Sequence, residues 1–407
     1  MRTSGIVLLV AYLGFISLGL PDAAHGINWP FVRADYHVPT GWLGLVIASG
    51  GVGYLVSSFS VANLLARCGV GWLLILSSLL VSIGLFGFCL SPNFICFMLF
   101  AVVIGLGSGA IDAGLNAYAA ENFSTQHMNW LHAAFGIGAT SGPIIVTSVL
   151  VHFSQNWRLA YGVIGTILLF MTMVFVLSRH LWRNPSQSIA LNPDSCKSDV
   201  TEPAPANVSQ WQALRHPLVR LQIAFFLVYT GLEVGVGQWA FTVMTDSRGI
   251  SISTAGTWVA IFWGALAFGR AIFGFLVEHF AVDPLLALCL MGMVLGAFSF
   301  SLPYHAYYSY LGLMLMGFCA APIFPCMISQ TALRVGKPLA AHAIGFQMSA
   351  AVSGAMTLPF ISGLLGELFG LTVLSISLLI YALVLLTLFV IIINKADRGL
   401  RHSVDAH

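Results

Sequence analysis

Residues 4–25 read SGIVLLVAYLGFISLGLPDAAH. The stretch is long enough for one bilayer crossing, which takes about 20 apolar residues as a helix. Its one charged side chain is Asp22. A carboxylate at bilayer depth costs about 2.5–3.5 kcal/mol on insertion scales, so it faces a partner or a water-filled path rather than lipid. Eleven more apolar blocks of similar length follow, placing spans at 4–25, 40–65, 71–91, 94–121, 128–152, 157–180, 218–245, 252–278, 283–303, 306–332, 340–365 and 369–394. The fold class this implies is an all-α membrane protein with twelve transmembrane helices.

Composition agrees. Hydrophobic residues make up 58% and charged residues 7% of the 407 positions, against about 25% charged in soluble domains. A soluble enzyme of this length is excluded. Glycine is abundant, at 41 residues, which suits close helix packing in lipid. The first block lacks a small-residue cleavage site and is expected to be a retained helix, not a signal peptide. Of the 16 Lys and Arg, twelve fall on one side of these spans: Arg2, Arg67, Arg179, Arg183, Lys197, Arg215, Arg220, Arg334, Lys337, Lys395, Arg398 and Arg401. Only Arg33, Arg158 and Arg248 fall on the other, and Arg270 lies within a span. The positive-inside rule then expects both termini in the cytoplasm and the protein in the cytoplasmic (inner) membrane. Seven scattered cysteines form neither a disulfide framework nor metal-ligand spacing. No basic run suggests nucleic acid.

Residues 181–217 form the one long polar stretch, rich in Pro, Ser, Asn and Asp. They read as a cytoplasmic linker, partly disordered or carrying a short surface helix. It separates a six-helix bundle at 1–180 from a second at 218–407 with a short cytoplasmic tail. The halves match weakly at an offset of 212: Gly19 falls on Gly231, Gly44 on Gly256, Gly105 on Gly317, and Ser141-Gly142 on Ser353-Gly354. Internal repeats with a substrate site at their interface are a transporter trait. The acids break the repeat, since Asp22, Asp112 and Glu233 fall on Val234, Phe324 and Pro21.

Candidate residues follow from polar positions in apolar helices. Asp22, His25, Gly26, Trp29 and Arg33 share one face of helix 1 if it continues past Pro21 and Pro30. That face would offer an acid, an imidazole and an indole. Helix 4 carries Ser108, Asp112 and Asn116 on one stripe, among Gly105, Gly107, Gly109 and Gly114. Helix 5 opens with Asn129 and His132 on one face, next to helix 4 and its acid. Helix 7 holds Tyr229, Glu233, Gln238 and Trp239; helix 8 holds Trp263 and Arg270. Indole faces and amides suit a sugar, whose ring has an apolar face and a hydroxyl edge. An intramembrane arginine needs an acidic or carbonyl partner, so Arg270 is expected in a gating or structural ion pair. Asp22, Asp112 and Glu233 are the expected proton-coupling groups; His25, Trp29, Asn116, Asn129, His132, Gln238, Trp239 and Trp263 the expected substrate contacts. No GxSxG, phosphate-loop or HExxH motif occurs, so no enzyme is expected. Nor is a metal or organic cofactor.

Twelve spans, a six-plus-six repeat and a long central linker resemble the major facilitator superfamily. Its loop signature between helices 2 and 3, broadly GxxxDRxGRR, survives in part at 62–69, where Arg67 and Gly69 remain and the acid is missing. At 274–279, Gly274 and Glu278 stand at the matching place of the second half. Within that superfamily the chain looks most like the fucose–galactose–glucose proton symporters and their sodium–glucose relatives, through GLPDAAHGINWP, DAGLNAY, NWLHAAFGIGATSGP, GLEVGVGQW and FWGALAFGR. The resemblance implies that Asp22 and Asp112 handle the proton and sugar, with Asn129 and His132 as the helix 5 polar pair.

The expected function is alternating-access secondary transport: proton-coupled import of a monosaccharide or similar small polar solute, by a lipid-embedded monomer. Burial favours the neutral form of a carboxyl, so an acid in a dehydrated cavity can load a proton and release it on rehydration. Sodium coupling, drug or metabolite export, and a transport-dead receptor are the alternatives.

Overall fold

A computed structural model of the chain describes residues 2–123, 125–182 and 209–404; among them there is no strand. Eleven helical stretches are long and apolar enough to cross a membrane. One of these, Leu43–Leu90, is two helices fused across a break at Gly69, whose φ of 71° lies in the region that favours glycine. Among the described residues the membrane-length helices are therefore twelve, as the hydropathy pattern predicts. They are α1 (Gly5–Tyr36), α2 (43–68), α3 (70–90), α4 (Phe94–Asn122), α5 (Thr125–His152) and α6 (Trp157–Ser178). Then follow α7 (Pro217–Thr242), α8 (Ile252–His279), α9 (Val282–Ser301), α10 (Ala306–Ser329), α11 (Lys337–Phe369) and α12 (Thr372–Val404). Most of the expected linker lies outside the described residues. Its end carries a short helix, Gln210–Arg215, opened by a capping box between Ser209 and Gln212.

The chain divides into two units, Met1–Val200 with Ser251–Ala260 and Thr201–Ile250 with Ile261–His407. In lipid no hydrophobic force draws helices together, so close packing must. In the first unit, a β-carbon added at Gly105 of α4 would overlap the backbone of Gly50 in α2. Gly138 and Gly142 of α5 lie in the same way against the carbonyls of Ile16 and Leu20 in α1. Polar side chains in the core close on each other. Thr172 of α6 donates to Ser78 of α3 at 2.8 Å, both buried. At one end, Arg158 donates to the carbonyl of Cys89 in the last turn of α3 and to that of Ser91 just beyond it (3.1 and 3.0 Å). It also pairs with Asp35 at 2.9 Å and lies 4.4 Å over the Trp157 ring. A cation at a helix C-terminus meets the negative end of the helix dipole.

The second unit repeats these devices. Gly317 of α10 abuts the backbone of Phe262 in α8, and Gly354 of α11 abuts that of Leu227 in α7. Arg248 donates to the carbonyl of Phe300 at the end of α9 and lies 4.8 Å over the Phe300 ring. A buried network joins α7 to α11: the Gln347 amide donates to Gln222 at 2.9 Å, and its carbonyl accepts from Thr331 at 3.2 Å.

These contacts correct the expected repeat register. The 212-residue offset holds where Gly105 meets Gly50 and Gly317 meets Phe262. Across α1 and α7 it slips to 207, because Gly142 meets Leu20 whereas Gly354 meets Leu227. The second half has five more residues between these points, and a π-turn at Val243–Ser247 extends α7 within that interval. Gly19 therefore does not match Gly231 in place, and Asp22 stands where Tyr229 does, not Val234.

Gly105→Ala should cost about 1–3 kcal/mol through overpacking and lower the melting temperature in detergent. Gly274→Ala, with nothing within 4 Å of the added carbon, should leave it unchanged in the same assay.

Candidate functional site

The glycine seam positions the polar centre of the first unit. On α2, Gly50, Gly53 and Ser57 follow one face; on α4, Gly105, Gly109 and Asp112 do. A β-carbon at Gly53 would strike the backbone at Val102 and Leu106, and one at Gly109 would strike the backbone of Tyr54. Backbone contact at these points carries the Tyr54 ring to the next turn of α4, where its hydroxyl donates to Asp112 Oδ2. Asn116, a turn further along α4, donates to Asp112 Oδ1 at 2.9 Å and to the Asp112 carbonyl at 3.0 Å. Both carboxylate oxygens of Asp112 thus accept from a neutral donor. The residue is half-buried.

Asp22 comes from α1, close enough to Asp112 for the two charges to interact. It is exposed, although it lies well inside a membrane-length helix. Lipid is an unfavourable surrounding for a carboxylate, so an acid at this depth needs a partner or a route to water.

The rest of α1 departs from the expected single face. A turn at Ala23 separates the helical stretches Arg2–Asp22 and Ala24–Tyr36. Beyond it the polar residues find separate partners. His25, half-buried, has Nδ1 3.0 Å from the Tyr161 hydroxyl. Trp29 is 1% exposed and donates its indole N–H to the carbonyl of Thr40 at 2.8 Å. Trp29 therefore fastens the turn between α1 and α2 and does not offer its ring to a solute. On α5, His132 is exposed and meets the Phe15 ring edge-on at 5.3 Å. The side chain of Asn129 lies outside the described residues.

In the second unit, Glu233 of α7 faces Arg270 of α8 at 3.6 Å, both largely buried. The arginine thus has the acidic partner its depth requires, and Glu233 already has a counter-charge. Tyr229, a turn earlier and fully buried, donates to the Ala320 carbonyl of α10 at 2.9 Å. Trp263 of α8 lies against Gly237, where a β-carbon would overlap the indole. Its Nε1 is buried with no partner in the protein. Gln238 beside it is buried. Trp239 is completely buried and donates to the Pro359 carbonyl of α11 at 3.0 Å. That corrects its expected substrate contact: it clamps α7 to α11 and has no open face.

Tyr54 and Tyr161 were not among the expected residues. Tyr54 stands in GGVGYLVSS, residues 50–58. A phenol inside a small-residue run that must face another helix is the signal that could have pointed to it. Tyr161 carries no comparable signal.

A profile of the Major Facilitator Superfamily matches residues 11–306 and, in a second match, 237–405. "Bypass of stop codon protein 6" of Saccharomyces cerevisiae is 23% identical over 393 residues, covering 89% of this chain and 78% of its own. The "Glucose/mannose transporter GlcP" of Bacillus subtilis is 22% identical over 354 residues, covering 86% and 85%. Among solved structures, a point mutant of the nucleoside transporter NupG has the same fold, with a TM-score of 0.75 and 11% identity over 94% of this chain and 98% of that one. Twelve apolar helices, two six-helix halves and transporter relatives make the chain an integral membrane transporter and not an enzyme. It belongs to the Major Facilitator Superfamily.

Proposed function

We propose that the protein is a secondary active transporter that moves a monosaccharide together with protons. The observation that carries this reading is the acid pair of the first unit: an exposed Asp22 at membrane depth within electrostatic reach of an Asp112 that accepts from Tyr54 and Asn116. Two carboxylates so close repel when both are charged, and protonation of one relieves that repulsion. A neutralised acid is also cheaper to enclose. Proton and solute together then favour a closed state that neither favours as strongly alone, since a ligand shifts a conformational equilibrium only by differential affinity. Rehydration on the opposite face releases the proton to water.

A sugar cargo is supported by the name of the relative from Bacillus subtilis, which transports glucose and mannose. Trp263, with its unpartnered indole N–H beside Gly237, and Gln238 suit hydroxyl recognition in the second unit. Glu233, with Arg270 opposite, serves as that arginine's counter-ion and not as a proton carrier. The basic-residue bias supports termini facing the cytoplasm.

Vesicles holding the purified protein and an internal pH dye, at zero membrane potential, should acidify inside when glucose or mannose is added outside. The double variant Asp22→Asn with Asp112→Asn should give no acidification. A folded protein that acidifies for no sugar, or moves sugar only with sodium, would refute the proposal.

Glu233→Gln strands the Arg270 charge. It should destabilise the protein by about 1–3 kcal/mol, allowing for the pair's partial exposure. Adding Arg270→Gln should recover most of that loss in a detergent melting experiment.

A further inference from the structure

We propose that the Glu233–Arg270 pair of the second unit is a cargo-binding site, in which one hydroxyl of a neutral monosaccharide enters between the two charges. That role is additional to the structural one and rests on the monosaccharide reading above.

Arg270 Nη2 and Glu233 Oε1 stand 3.6 Å apart, beyond the reach of about 2.7–3.2 Å that an N–H···O hydrogen bond has. Arg158 and Arg334 reach their own acids at 2.9 and 2.6 Å. The Glu233–Arg270 pair therefore balances charge while leaving hydrogen-bonding capacity open on both sides. A guanidinium carries only donors and a carboxylate only acceptors, whereas a hydroxyl is both. A hydroxyl placed between them accepts from Arg270 and donates to Glu233. Each of these bonds has a charged partner, and such bonds are shorter and stronger than neutral ones. The pair is neutral as a whole, which selects a neutral solute: Glu233 repels an anion and Arg270 repels a cation.

The pair lies in helices of membrane length and keeps 21% of the Arg270 side chain and 13% of the Glu233 side chain exposed. On α8 the exposed Phe268 and Phe275 lie on the side away from Arg270, while Trp263, seven residues before it, shares its face. The open edge of the pair is thus turned away from the apolar outer face of α8. On α7 no residue from Leu221 to Thr245 is exposed. Charges at this depth face the bundle interior or a water-filled cavity.

Glu233 has Tyr229 one turn before it on α7 and Gly237 one turn after. The Tyr229 hydroxyl stands beside both charges and gives its own proton to the Ala320 carbonyl, so it holds the pair from the buried side. At Gly237 the Trp263 indole occupies the space a side chain would take, and its buried N–H has no acceptor among the described residues. One helical turn, about 5.4 Å, separates the two places, which lies within the span of one hexose. A second hydroxyl oxygen of the same cargo supplies that acceptor when the site closes on it.

The test combines hydroxyl deletions in the sugar with side-chain deletions in the protein. Vesicles holding the native protein exchange labelled glucose or mannose, and monodeoxy derivatives of that sugar compete. Loss of the hydroxyl that bridges the pair should weaken competition about 10- to 100-fold, as expected for bonds to charged groups. The variant Glu233→Leu with Arg270→Met removes both charges together, which a buried site tolerates far better than loss of one. In it that penalty should vanish, while the penalties at other ring positions stay at their native values and report an intact fold. A merely structural pair would weaken all sugars alike and leave every penalty in place; that result overturns the proposal. So does a native profile in which no single hydroxyl matters. Should the Leu and Met variant not fold, Glu233→Gln with Arg270→Gln keeps neutral donors and acceptors and should reduce the same penalty in part; an unreduced penalty there overturns the proposal as well. Vesicles that exchange neither glucose nor mannose defeat the monosaccharide reading itself, a result distinct from these.

Discussion

Lipid offers no hydrogen bonds, so each polar group inside the bilayer must find a partner in the protein or open onto water. Much of this chain takes the first course. Thr172 closes on Ser78, Gln222 on Gln347, Trp239 on the Pro359 carbonyl, and Arg270 on Glu233. Each closure joins two helices, so the requirement to satisfy polar groups also holds the bundles together. Asp22 is an exposed acid at membrane depth. Its exposure has functional meaning: where so many polar groups are enclosed, an exposed acid inside a membrane-length helix marks a place where something polar can reach the protein.

The glycine seams decide which groups can meet. Gly50 against Gly105 brings two backbones into contact, and the phenol on the next turn can then reach a carboxylate on the other helix. A larger residue at either position would part the helices and leave Tyr54 short of Asp112. Packing and chemistry are thus one feature in this unit.

This explains what the sequence could and could not disclose. Spans were legible because a bilayer fixes both their length and their polarity. The break at Gly69 fell between two apolar runs, in a short polar stretch. That Arg270 needs an acid follows from its depth alone. Tyr54 stayed hidden because its role depends on how α2 is rotated against α4, which one sequence does not record. Trp29 and Trp239 misled for a physical reason. A buried indole N–H readily takes a backbone carbonyl whether or not a solute is near, as those of Trp29 and Trp239 do. From sequence, a clamp and a binding platform look alike.

The slipped register between α1 and α7 has a consequence for how such a protein can arise and be rebuilt. Five residues along an α-helix amount to about 7.5 Å of rise and roughly 140° of rotation. Residues that align at the 212 offset therefore stand on different faces of α1 and α7, whatever side chains they bear. Exchange of residues between the halves at that offset would misplace every one of them in these two helices, because the equivalent places lie 207 apart. A polar centre copied from α1 onto α7 would have to set its acid at Tyr229, the place that matches Asp22, and not at Val234.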